Sequence, residues 1–518
     1  LKMVGNFGAL FSGQFEMGVG GVGGEEVAFR CVAFMFDAMR VPALVPGACD
    51  AFKKVTTHAA QWLLPHCQSI LEHSFSRELQ HLSTFPQAKT DLFTGVVAVL
   101  KAATPAQILG AMDGMIPAFE ASLRSLIEKS GCLHQHAHGH MAELKLAMMQ
   151  EEVEVAVTEE QRVIGSVIES LERVEGGVVK MVRFLWPLLK EVGLRWRGSE
   201  DVVISFSNLC VSILDMTPPV TSQLLQSEEG REGARIMGEV QQDMITYFMK
   251  SYEEFYFPCC LVVLSSLLKQ RYKGVKKRIE RERSAEVERE LEEVIQQWRT
   301  LTESCGRLSF SYVEVCGNPE AEVDLLKGVF DFFYCTVSTT GGEALPHTVV
   351  ALVVRLAGLS LSFATRDCLR SIVSTLAAII NLRSRPSPPP LTPHTKTLWE
   401  VWDSMWLGGE GEGEGGLVMK NCFLLLPTAF RLNATRRIGG LLRSLMLSYP
   451  EKRNLWIEQG INLFDDNLFR DFGKPRTANA LLAALQHERK FNAFMADLGR
   501  VINQESDDSV LIAYEVPS

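Results

Sequence analysis

The sequence predicts an all-α solenoid, a superhelical arch of stacked antiparallel helix pairs. Three observations carry that expectation. Apolar residues recur at helical spacing along nearly the whole chain, alternating strand patterns are almost absent, and the helical segments come in pairs. The chain has 518 residues, more than one ordinary core can use, so several domains or one extended array are expected. Hydrophobic residues make up 47%, enough to bury a large apolar surface.

The segments follow in order. Val27 to Met39 carries a broad apolar stripe, followed by Ala51–Trp62, Leu63–His73, Thr90–Ala102 and Ala106–Ile127. Next come Val163–Val174, Val178–Val192 with a kink at Pro187, Val202–Leu214, Val240–Tyr252 and Phe257–Leu268. The rest are Val323–Val337, Pro346–Leu359, Arg366–Asn381, Leu417–Met446, Leu455–Phe464, Ala478–Leu485 and Arg489–Ile502. Most span 12–20 residues. Pro42, Pro46, Pro105, Pro319 and Pro346 stand at or near starts, where a missing N–H costs nothing. Helix pairs recurring every ~40–47 residues are the HEAT/armadillo signature. One pair cannot bury its apolar face alone and needs neighbours on both sides.

Composition shifts divide the chain. Residues 1–24 read as a Gly-rich flexible lead-in, and 25–382 as HEAT-like repeats with a charged helical insertion near 269–300. Residues 383–416 read as Pro-rich and Gly/Glu-rich loops (RSRPSPPPLTPHT at Arg383–Thr395, GGEGEGEGG at Gly408–Gly416) around a short helix. Residues 417–503 read as C-terminal HEAT-like repeats, and 504–518 as a tail.

A net charge of −10 argues against a general nucleic-acid binder. The 12 cysteines are scattered, with no CxxC and one adjacent pair, Cys259-Cys260. Neither a zinc nor a disulfide framework is visible, which suits a reducing compartment. No stretch reaches the ~18 uninterrupted apolar residues of a membrane span. The chain begins with Leu1 rather than Met, which suits either a fragment or an incomplete chain.

Several constellations bear on chemistry. Gly18, Gly20 and Gly23 form GxGxxG, but no β-α-β pattern surrounds it, so a flexible lead-in is the better reading. His134, His136, His138 and His140 alternate, and Gly131 and Gly139 beside them favour an exposed polar loop over a metal site. The carboxylate pairs Asp465-Asp466 and Asp507-Asp508 read as polar surface. No nucleophile elbow, P-loop, HExxH or kinase motif is present, so neither an enzyme nor a cofactor is expected. Lys269–Arg283 followed by Glu286–Glu293 reads as one long charged helix with pairs Arg278/Glu282 and Arg289/Glu293. Lys273, Lys276, Lys277, Arg278, Arg281 and Arg283 are its candidate partner-binding cations.

The stretch Asn318–Leu382 resembles a known family. NPEAEVDLLKGVFDFFYCTVS, with Pro319, Val323, Asp324, Leu326 and Phe330, is similar to a helix of karyopherin-β nuclear transport receptors in the transportin-SR and importin-thirteen branch. Arg366-Asp367 and the apolar run to Ile380 resemble the next helix pair. FLWPLLKEV within Val178–Met216, and Trp456 within Leu425–Ile502, resemble flanking repeats of the C-terminal half. The resemblance implies protein cargo held on a concave face, control by Ran bound to GTP through N-terminal repeats outside this chain, contact with nucleoporins, and shuttling between cytoplasm and nucleus. It implies neither membrane nor direct nucleic-acid binding. In transportin-SR the helix matching Glu200–Met216 is arginine-rich and grips phosphorylated Arg-Ser segments. Here that stretch contains no Arg or Lys, which leaves Lys269–Arg283 as the alternative basic surface. A HEAT scaffold indifferent to Ran is the rival expectation.

Overall fold

The structure is a computed structural model. It describes residues 23–74, 76, 79, 81–82, 85–133, 140–172, 174–217, 227–316, 322–361, 365–384, 392–407, 414–431 and 434–514. Among them are 21 α-helices and no strand. The glycines Gly18 and Gly20, the histidines His134, His136 and His138, Pro319, and most of the Pro-rich and Gly/Glu-rich segments lie outside the described residues.

The chain divides into two compact units, Leu1–Ser251 and Tyr252–Ser518. The first contains α1 (Gly23–Met39), α2 (Val45–Ala59), α3 (Cys67–Ser74), α4 (Pro86–Ala102), α5 (Pro105–Leu133), α6 (His140–Ser170), α7 (Gly177–Arg195) and α8 (Glu200–Met216). α9 (Glu228–Phe255) runs across the boundary. Two interleaved layers form. α2, α4, α6 and α8 lie side by side, each against the next, while α3, α5 and α7 form the second layer. Pairs α5·α6 and α7·α8 join the layers. Each helix therefore buries apolar surface against a sequence neighbour and against the same helix of the next pair, as a HEAT array requires.

Particular residues explain the layers. Gly95 of α4 carries no side chain because a Cβ there would stand 2.6 Å from the Phe52 ring and the Thr56 hydroxyl of α2. Phe206 of α8 packs among Trp186 of α7 and Tyr247 and Phe248 of α9, with ring centroids 5.1–6.0 Å apart. Trp186 Nε1 and Lys190 Nζ both donate to the Asp243 carboxylate, at 3.0 and 2.6 Å.

The second unit contains α10 (Pro258–Glu282), α11 (Ala285–Val315), α12 (Val323–Thr340), α13 (His347–Ser360), α14 (Arg366–Arg383), α15 (Pro393–Leu407), α16 (Glu414–Leu424), α17 (Leu426–Arg431), α18 (Thr435–Ser448), α19 (Pro450–Asn462), α20 (Lys474–Ala484) and α21 (Glu488–Ile502). One layer runs α10, α12, α14, α18, α21, and the other runs α11, α13, α16, α19, α20, with α15 set against α13 and α16. Phe330, fully buried on α12, lends its carbonyl to the Thr375 hydroxyl of α14 at 2.8 Å.

Some element boundaries differ from the sequence expectation. The long charged helix is two helices. Arg283 turns the chain with φ 42°, and Ser284 caps α11 by accepting the N–H of Val287 at 3.3 Å. Glu286 and Glu288 in the first turn of α11 suit its positive end. Leu417–Met446 is likewise interrupted, forming parts of α16, α17 and α18. Several helices exceed 20 residues: α5 has 29, α6 and α11 have 31. Polar turns continue α5 and α6 past the apolar stripes that revealed them, whereas α11 begins in the segment read as charged. Asp508 also departs from the surface reading. It is 3% exposed, and its carboxylate accepts the backbone N–H of Asp471 and of Phe472, the latter at 2.7 Å.

Tyr252 gives a first test of packing in the second unit. Ser309 already donates to Cys305 O, so the buried Tyr252 hydroxyl donates to Ser309 Oγ at 2.7 Å. Tyr252→Phe is expected to cost about 1 kcal/mol, read as a lowered urea midpoint with unchanged slope.

Candidate partner-binding surfaces

The structure separates the six sequence-predicted cations. Lys273, Lys276 and Lys277 are exposed on α10, joined one turn earlier by Lys269. Separations of four, seven and eight residues put these lysines on one side of the helix. Arg281 is exposed in the last turn and Arg283 just beyond it. Arg278 faces elsewhere. It is half-buried and bonded to Glu290 of α11 at 2.8 Å, with Glu282 at 4.0 Å. The lysines offer an anion-binding stripe, and Arg278 ties α10 to α11.

Sequence reasoning missed a different surface, a cleft of about 480 Å³ between α6 and α8. The two helices run parallel. Ser199, at the start of α8, donates to Glu154 at 3.1 Å; Ser205 donates to Thr158 O at 3.0 Å; Ser212 donates to Glu169 at 2.9 Å. Gly165 of α6 lies against Leu209 of α8, where an added Cβ would make only an ordinary contact at 3.8 Å. Glu151, Glu154, Glu159, Glu169 and Asp201 line the cleft against a single cation, Arg162. Val155 and Ile204 expose 44% and 39% of their surface there.

Two glutamates tie α6 to α4. Glu160 is 1% exposed and paired with Lys89 of α4. Glu159 takes the hydroxyl of Thr90 and the guanidinium of Arg162. Gln161 also borders the cleft. It has no exposed surface, and neither amide atom has a hydrogen-bond partner. A signal for this site exists in the sequence. EEVEVAVTEE, residues 151–160, places five glutamates among alternating valines.

Two buried thiols among the described residues are held protonated. Burial pushes the Cys368 and Cys422 thiols up to about 12, far from the thiolate form that reacts. Among the described residues no three His, Cys, Asp or Glu side chains are grouped to hold a metal ion. No helix among them is long and apolar enough to cross a membrane.

No protein-family model and no curated protein matches the sequence. Solved structures do. The importin-13 structure in its cytosolic state superposes with a TM-score of 0.61 at 10% identity, over 97% of this chain and 49% of that one. This chain therefore spans about half the length of that structure. Kap121p bound to Ste12p aligns over 95% of this chain and 54% of its own, at 10% identity, but its TM-score of 0.28 supports no argument. The layered helices and the importin-13 superposition together make this chain a HEAT-repeat α-solenoid of the kind found in karyopherins.

Proposed function

We propose that this chain is the cargo-side portion of a nucleocytoplasmic transport receptor, an importin-β-like solenoid that holds protein cargo on its helical surfaces under Ran-GTP control. The observation that carries the reading is the importin-13 superposition across nearly all of this chain. The motif resemblance at Asn318–Leu382 supports the same branch from the sequence side. Stacked repeats give a long surface made of many helix faces, suited to a folded protein or an extended segment. Nucleoporin contact and shuttling between cytoplasm and nucleus belong to this proposal.

α8 bears on cargo type. Its exposed face presents Asp201, Ile204 and Asn208 rather than arginines, so a phosphorylated Arg-Ser segment has no cationic grip there. The lysine stripe of α10 is the basic surface available for an acidic cargo.

Affinity capture tests the proposal. The full-length protein is immobilised in cell extract with and without Ran carrying a non-hydrolysable GTP analogue. At least one bound protein is expected to be released or recruited by Ran-GTP. Partners that stay bound in unchanged stoichiometry would contradict the proposal and favour a Ran-independent HEAT scaffold.

A further inference from the structure

We propose that Thr392 is a phosphorylation site for a proline-directed kinase, and that the phosphate it gains fixes the first turn of α15. The group transferred is the γ-phosphoryl of ATP. Its bond to the ADP oxygen breaks, a bond to Thr392 Oγ1 forms, and the hydroxyl proton leaves. Such a modification is independent of whether Ran controls the protein.

The sequence singles this threonine out. Four Ser or Thr residues precede a proline: Thr104, Thr217, Ser387 and Thr392. A proline after the acceptor has no N–H for a kinase groove to satisfy. A second proline two residues before the acceptor biases the chain toward the extended form that such a groove holds. Thr392 alone among the four has both, Pro390 before it and Pro393 after it.

The fold separates the same four residues. Thr217 is 8% exposed, and its hydroxyl donates to Ile213 O at 2.6 Å. Thr104 is exposed but closes a reciprocal pair: its hydroxyl donates to Gln107 Oε1 at 2.9 Å and accepts the Gln107 N–H at 3.4 Å. The chain just before Thr104 is α4, which would have to unwind to enter a kinase. Ser387 lies outside the described residues. Thr392 is exposed at the start of α15, where a helix opens at little cost. Neighbouring hydroxyls do not compete. Thr395 donates to Thr392 O at 2.9 Å and Thr397 to Pro393 O at 3.2 Å, and neither precedes a proline.

Positive groups surround the place where the phosphate forms. Lys396 is exposed four residues on, on the same side of α15 as Thr392. His394 bonds to Leu345 O at 3.0 Å, with the His347 ring 6.5 Å from its own. Burial, then the Arg299 guanidinium and His347, holds the His394 imidazole below its usual range. Arg299 itself donates to Glu343 O at 2.7 Å, a bond that leaves its charge in place. The Glu343 and Glu292 carboxylates are the acidic groups acting on it. A phosphate carrying a charge near −2 gains Lys396 and these groups as partners. It thereby ties the start of α15 to the turn at Glu343–His347, and α15 carries the buried Trp402 and Trp406.

Treatment of the chain with ATP and a purified proline-directed kinase, read by mass spectrometry, tests the proposal. Phosphate is expected on Thr392. T392V is expected to lower incorporation at least tenfold, and P393A, which keeps the acceptor, to do the same. Misfolding cannot imitate those losses, since an unfolded chain offers a kinase more hydroxyls. T104V and T395V are expected to change nothing. Hydrogen–deuterium exchange over residues 393–400 is expected to slow at least twofold on phosphorylation, and K396Q to abolish most of that slowing. Undiminished incorporation in T392V would overturn the site, as would equal incorporation by a kinase indifferent to proline. Exchange that is unchanged or faster after phosphorylation would overturn the role given to the phosphate.

Discussion

Lys89→Met is expected to destabilise the first unit by about 3 kcal/mol. Lys89 on α4 is 16% exposed in its side chain, and its partner Glu160 on α6 is 1% exposed. Removing the ammonium strands a carboxylate in a site with almost no solvent, and an uncompensated buried charge is costly. A surface pair would behave differently: Arg30–Glu26 on α1 is solvated on both sides, and its loss should cost well under 1 kcal/mol. The double variant K89M/E160L separates the terms. It removes both charges and restores apolar packing, so it should recover most of the lost stability. Urea unfolding followed by circular dichroism reads all three proteins. A single variant as stable as wild type would mean that Glu160 reaches water or another partner.

Trp402→Ala in the second unit is expected to cost about 4 kcal/mol. Trp402 on α15 is fully buried. Its ring stands 5.4 Å from that of Trp406, which packs on Tyr449 and Trp456 at 6.0 and 6.1 Å. The same cluster carries polar struts. Tyr449 donates to Asp403 at 2.9 Å, Arg383 pairs with Asp403 at 2.7 Å, and the Arg383 guanidinium lies 5.1 Å over the Tyr449 ring. Deleting one indole opens a cavity that three other large rings cannot collapse to fill. The conservative control is Trp402→Phe, expected to cost less than half as much. Equal losses in the two variants would show that the indole's polar edge, rather than its volume, holds α15.

The solenoid was legible because its physics is repetitive. Most helix pairs show the same apolar stripe, so many independent segments point to one architecture. Residues such as Phe330 and Val329 on α12, or Leu441, Leu442 and Leu445 on α18, lie on stripes visible in the sequence, and all are buried. Helix ends were less legible. The break at Arg283 depends on one residue turning left-handed and one serine capping α11, and neither changes the charge pattern around it. Asp508 shows the same limit. Its burial comes from backbone N–H groups at Asp471 and Phe472, some 36 residues away, which no local pattern reveals.

The two candidate surfaces differ in legibility for a related reason. The lysines of α10 form a run of one charge sign, so they stand out, although the run does not show that Arg278 turns inward to Glu290. The cleft needs two helices. Its glutamates on α6 gain meaning only beside Asp201 and the serines of α8, and that pairing follows from the repeat stacking α6 on α8. In the sequence α8 stands out for what it lacks, arginine, and nothing local marks the carboxylates that face it from α6.

Hydrogen–deuterium exchange locates the partner surface most directly. Exchange is recorded on the full-length protein alone, with a partner captured from extract, and with that partner and Ran-GTP. Slowed exchange on α6 and α8 (residues 151–169 and 201–212) or on α10 around Lys273 and Lys277, altered again by Ran-GTP, is the predicted result. Partner protection that leaves these helices unchanged, or that Ran-GTP does not alter, would contradict it.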